Sequence, residues 1–149
     1  MGIPLYGQNK AGDLLDAQEK VVKVDLNGGA AITAVTHAAG DHGGAWKNPE
    51  GEDIIVTGFY LDVTTAATGT PTVDVGVAAN GTTTSDTILD ACAVGDAADI
   101  SSPIQESGTN GKAIVKMSST QFITVDGSAS LAGMVASFYV KYFIISKVS

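Results

Sequence analysis

The stretch "HAAGDHGGAWKNPEG", residues 37–51, holds both histidines of the chain, His37 and His42, with Asp41 beside the second, and its single tryptophan, Trp46. Two imidazoles and a carboxylate are zinc-ligand types, but zinc takes three or four ligands, each oriented by further hydrogen bonds. No other histidine exists to complete the set, and the one cysteine, Cys92, lies far away in "TILDACAVG". Four glycines within 37–51 favour a solvated loop over a rigid ligand cage. The reading is therefore of no metal here, and of no cofactor anywhere. Trp46 is expected to pack against a sheet edge. After it, "NPEG" (48–51) suits a type I turn, with Pro49 at the second position and Gly51 closing it. A tryptophan in such a loop can also stack on a sugar ring, which keeps Trp46 as a possible ligand contact.

Asp62 and Asp74 are a second candidate. The strands around them, "DIIVTGFYLDVTT" (53–65) and "TVDVGVA" (72–78), read as a hairpin joined by "AATGTP". Symmetric pairing about Thr68 would set the two carboxylates opposite each other on the non-core face. Like charges so placed repel unless water, a cation or a lysine intervenes. Nucleophile patterns are absent: there is no G-x-S-x-G, and neither histidine stands in a triad order. "GTNGK" (108–112) lacks the spacing and the hydroxyl residue of a phosphate loop and reads as a turn. Cys92, in an apolar neighbourhood, reads as a small core residue. No enzyme is expected.

The charge balance narrows the partners. Eight basic residues, all lysine, face 16 acidic ones, for a net charge of −8 over 149 residues. Without arginine the chain lacks the bidentate reader of phosphate, and its field repels a polyanion, which excludes nucleic acid and an anionic membrane surface. "MGIPLYGQNK" has neither the charged n-region nor the apolar run of a secretory leader, and "FYVKYFII" is too short to span a bilayer. A soluble protein made in a cytoplasm is expected. "NGT" at 80–82 then reads as a turn, not a glycosylation acceptor.

The elements that must position these residues are strands. Short apolar alternations broken by Gly, Thr, Asn and Pro recur every 8–12 residues or so, the pattern of an all-β sandwich or barrel. Strands are expected at 20–26 and 31–35, turned by "NGGA"; at 53–65 and 72–78; and within 86–92, 98–104, 112–117, 121–125 and 132–146, making eight or nine. In 53–65, strict alternation places Ile55, Thr57, Phe59, Leu61 and Val63 on one face. Asp13 could cap a turn or two of helix in 12–20. The last strand is apolar on both faces: Met134, Ala136, Phe138, Val140, Tyr142 and Ile144 alternate with Val135, Tyr139, Phe143 and Ile145. One face can enter the core; the other needs a second sheet, an arm or a neighbouring subunit. That assigns Val135, Tyr139, Phe143 and Ile145 to an oligomer interface. Residues 1–19 read as an N-terminal arm anchored by Ile3, Leu5, Tyr6, Leu14 and Leu15, ahead of a sandwich domain at 20–149.

The run "AWKNPEGEDIIVTGFYLDVTTAATGTPTVDVGVAANGTTTSDTILDA" (45–91) resembles the head decoration, or cement, proteins of tailed bacteriophages. The carriers are the Trp-x-Asn-Pro entry, "LDVTTAATG", "TVDVGVA", "TSDTILDA", the "NGK" turn at 110–112 and the closing strand. The resemblance covers most of residues 45–145. It implies a jelly-roll-like antiparallel β-sandwich, a homotrimer on the outside of the virion, and the major capsid protein as partner, clamped against internal pressure. It brings no catalytic residues. On this reading the arm grips capsid or an adjacent copy. The alternative is a lectin-like sandwich of a phage particle using Trp46 and a cation at Asp62 and Asp74.

Overall fold

The computed structural model describes residues 18–33, 44–69, 71–95, 99–104 and 107–147. Alternating apolar side chains organise these into nine strands: β1 (Lys20–Asp25), β2 (Gly44–Lys47), β3 (Ile54–Thr65), β4 (Thr72–Ala78), β5 (Leu89–Ala93), β6 (Asp99–Ser101), β7 (Val115–Met117), β8 (Phe122–Gly127) and β9 (Val135–Ile144). Sheet A has the order β1-β9-β3-β6, with β7 also on β3; sheet B has the order β2-β8-β4-β5. All the pairings are antiparallel.

The order has a simple logic once the short β7 is set aside. First pairs with last (β1–β9), second with second-last (β2–β8), third with third-last (β3–β6), and the middle two with each other (β4–β5). A long antiparallel ribbon has rolled up so that β9 meets β3 and β8 meets β4. That is a jelly roll.

The core lies between the sheets. On β9 the alternation is complete: Ala136, Phe138, Val140, Tyr142 and Ile144 are buried, and the residues between them are half-buried on the other side. Phe138 stacks on Phe59 of β3 with ring centroids 5.3 Å apart. Ile123 and Val125 of β8, with Val73 and Val75 of β4, close the core from sheet B. Each such side chain contributes about 1.5–3 kcal/mol by leaving water.

Four local expectations give way to tertiary structure. β3 and β4 do not form a hairpin; they lie in different sheets. Their connection is held by other segments, Ala67 N–H donating to Val94 C=O and Thr68 N–H to Ala132 C=O, so it carries the chain across the sandwich. Within β3 a register shift between Val56 and Gly58 changes the face, so Val56 and Phe59, not Thr57 and Phe59, both point inward. Residues 31–33 are not a strand beside β1. "NGGA" does turn left-handed (Asn27 φ 48, Gly28 φ 63). The chain then leaves, and the buried Ile32 exchanges backbone hydrogen bonds with Gly133 and Met134. Finally, the stretch before the "NPEG" turn is strand β2, paired with β8, and not loop.

Candidate functional site

The two outer faces of the sandwich differ. Sheet B is overlaid by the connection from β4 to β5: Thr124 Oγ1 donates to Thr83 C=O, Val77 N–H to Thr87 Oγ1, and Ile88 N–H to Val75 C=O. Gly76 leaves just enough room for that crossing, since a Cβ there would sit 2.3 Å from Ser85 Oγ and 2.6 Å from Thr87 N. The outer face of sheet A carries apolar side chains in the open.

Strand register writes that face in rows across the sheet. Lys23 of β1 stands beside Tyr139 of β9, and Tyr139 beside Tyr60 of β3. Val21, Lys141 and Gly58 form the next row, with Lys141 lying over the glycine. Beyond it Phe143 opposes Ile55, and Ile55 opposes Lys116 of β7. On the other side run Asp25, Ser137, Asp62 and Ile100 of β6. Tyr60, Tyr139, Phe143 and Ile55 are half-buried, whereas Val21, Ile100 and Ile114 are 63%, 56% and 63% exposed.

Ion pairs frame these apolar groups. Lys23 Nζ meets Asp25 Oδ1 at 2.9 Å, Lys116 Nζ meets Asp53 Oδ2 at 2.9 Å, and Lys141 Nζ meets Glu19 Oε1 at 2.9 Å. The Ser137 hydroxyl donates to Asp25 at 2.6 Å and, with Lys23, holds that carboxyl below its ordinary range. The Thr57 hydroxyl donates to Glu19 and, with Lys141, lowers that carboxyl too; Lys141 is raised in turn by Glu19. Exposed pairs of this kind add little stability, because water screens them. Their effect is to quiet the electrostatics of the face.

A second polar cluster closes one end of the sandwich. Lys20 Nζ reaches both oxygens of Glu50 at 3.0 Å, and the Tyr142 hydroxyl donates to Glu50 Oε1 at 2.7 Å. Burial pushes the Glu50 carboxyl up, but the hydrogen bonds from Tyr142 and Lys20 outweigh it and leave it below its usual value. Burial, and then Glu50 itself, push the Tyr142 phenol well up. Asn48, buried in the turn, donates to Glu52 C=O and Ser118 C=O and accepts from Glu50 N–H, which fixes the carboxylate in place.

The structure gathers some of the residues singled out in the sequence and separates others. Val135, Tyr139 and Phe143 share the outer face of β9, and Ile145 follows in the 3-10 turn Ile145–Lys147. Trp46 points from β2 towards the core with its ring 5.6 Å from that of Tyr142. Asp62 and Asp74 do not face each other, because their strands belong to different sheets. Asp62 stands between Ser137 and Ile100, whereas Asp74 opposes the buried Asp126 and accepts Ala91 N–H at 2.8 Å. Cys92 is buried in the core. Ile3, Leu5, Tyr6, Leu14 and Leu15, the proposed helical turn after Asp13, and His37, Asp41 and His42 lie outside the described residues. Among the described residues no three His, Cys, Asp or Glu side chains converge as metal ligands, and no helix is long and apolar enough to cross a membrane.

Tyr60 and Ile55, the partners of Tyr139 and Phe143 on this face, and Val21 and Ile100 at its edges, were not singled out as site residues in the sequence. The signal was present in the lone glycine of "VTGFY", which marks a bulge and with it the true outward set.

Comparison with known proteins adds no neighbour: no family model, no curated protein and no solved structure matches the chain.

Proposed function

We propose that the protein is a structural virion protein that decorates the outer surface of a bacteriophage capsid, as a homotrimer bridging major capsid subunits, and stabilises the shell. The observation that supports this most is the outer face of sheet A. A two-sheet body leaves Tyr60, Tyr139, Phe143, Ile55 and Val135 outward on its central strands β3 and β9, framed by the ion pairs of Lys23, Lys116 and Lys141. Contiguous apolar surface of that kind marks an interface between proteins. A clamp needs a stiff scaffold and apolar contacts, and it needs no reaction centre and no cofactor. Three linked copies also raise one another's effective concentration at the shell, so weak single contacts add up to firm attachment.

The test has two parts. Light scattering is expected to give a solution mass about three times the 15.1 kDa of one chain, and the protein is expected to co-sediment with assembled shells of the phage that encodes it. A monomer that stays in the supernatant overturns the proposal. A trimer that ignores shells but is retained on a glycan array would turn the reading to the lectin alternative.

A further inference from the structure

Among the described residues, the large hydrophobic side chains most open to water are not at the centre of sheet A. They lie at its two edges. On β1, Val21 is 63% exposed. It sits opposite Lys141 and therefore diagonal to Tyr139 and Phe143, with which it makes one apolar corner. On the opposite edge, β6 and β7 both flank β3, and there Ile100, Ile104 and Ile114 are 56%, 78% and 63% exposed. A notch lined by Tyr60, Pro103, Ile104 and Ala113 opens on this edge beside β3.

We propose that these two edges are the two halves of one contact between copies of this chain: the isoleucine edge of one copy packs against the Val21 corner of the next, head to tail. This rests on the trimeric reading above and specifies how its contact is made. A two-fold, face-to-face dimer would bury the central Tyr60–Tyr139 row, which is already half-buried, and would leave both edges wet. A head-to-tail ring buries both edges in every copy, and the trimeric reading makes it a ring of three.

A second copy is the occupant for an electrostatic reason as well. The chain carries a net charge of −8, so two copies repel over most of their surface. On sheet A, Lys23, Lys116 and Lys141 are each matched by a carboxylate, so apart from Asp62 the charges named on that face are paired, which lowers the cost of approach by another acidic copy. The surface needed is modest: about 800 Å² per side, the usual area of a stable contact, against 7782 Å² in all.

Two variants separate the halves. Val21→Asp removes the corner and keeps the isoleucine edge; the double variant Ile104→Asp/Ile114→Asp does the reverse. All three positions are exposed, and circular dichroism checks that each variant folds. Each alone is expected to run as a monomer by light scattering. Mixed one to one, they are expected to form a dimer of about twice the chain mass and nothing larger, because each contributes the half the other lacks. A trimeric wild type with either variant still trimeric, or a mixture that stays monomeric, overturns the head-to-tail contact and leaves the trimer standing. A wild type that is dimeric overturns it in favour of a two-fold contact. A monomeric wild type removes the trimer itself.

Discussion

Replacing Tyr142 by phenylalanine deletes one oxygen at a place where its worth can be calculated. Tyr142 is 4% exposed, and its hydroxyl donates to the half-buried Glu50 carboxylate at 2.7 Å. A hydrogen bond to a charged group contributes about 1.5–3 kcal/mol. Phenylalanine keeps the ring contact with Trp46 and creates no cavity, so the loss falls at the lower end, about 1.5 kcal/mol. In a domain of this size each kcal/mol shifts Tm by about 2–4 °C, and the variant is expected to melt roughly 3–6 °C below wild type at pH 7. The pH dependence carries the sharper test. The folded-state pKa of Glu50 lies below its usual value of 4.5. Its ionic contribution is therefore complete above that value and disappears as pH falls through the lower, folded one. Once Glu50 is protonated, Tyr142 loses only a neutral hydrogen bond, so the gap between variant and wild type narrows in acid. Thermal melts followed by circular dichroism at pH 7 and at steps below it measure it. No gap at pH 7, or a gap that widens as pH falls, refutes the assigned network.

Two other outcomes follow from the same geometry. Gly76→Ala drives a Cβ into Ser85 and the backbone of Thr87, an overpacking expected to cost about 2 kcal/mol or more and to lower the urea midpoint with little change in slope; an unchanged midpoint would mean that the 79–88 crossing is not seated on sheet B. In the proposed trimer an apolar contact between copies of charge −8 works against mutual repulsion, so salt is expected to tighten that assembly. The dissociation constant measured at 500 mM NaCl should lie below that at 20 mM, and a weaker assembly at high salt would point to ion pairs as its main support.

How far the sequence reveals this molecule depends on the range of the physics involved. The last strand was legible because its alternation is local and unbroken, and Ala136 to Ile144 point inward as their period requires. The face of β3 was half legible: period two holds on each side of the shift at Thr57–Gly58 but not across it. The β3–β4 hairpin was the expected local solution, since two alternating strands lay six residues apart. It lost to the roll of the whole ribbon, in which β3 meets β9 and β4 meets β8, partners at least 44 residues distant in the chain (Ala78 to Phe122 is the shortest step). With the hairpin went the Asp62–Asp74 pair. β2 escaped notice because four residues of "GAWK" carry no period of their own; β8 makes them a strand.

The asymmetry between the two outer faces ties these strands to function. Both sheets come from one rolled ribbon, and each has an inner face that supplies half of the core. On sheet B the crossing from β4 to β5 covers the other side, and the cost is visible in Gly76, a position too tight for any side chain. On sheet A no crossing of that kind is bonded over β9 among the described residues, and the sequence there spends Tyr60, Tyr139 and Phe143 where serine or threonine would keep a solvated face soluble. Val21 at one edge and Ile100 at the other extend the apolar positions of this face across four strands, with Lys141, Ser137 and Asp62 between them. The ion pairs along it argue the same way. Lysines 23, 116 and 141 each have an acid within 2.9 Å, so they do not offset the net charge at a distance. They match charge locally on this face and leave the repulsion to the rest of the surface, as the proposed contact between copies requires.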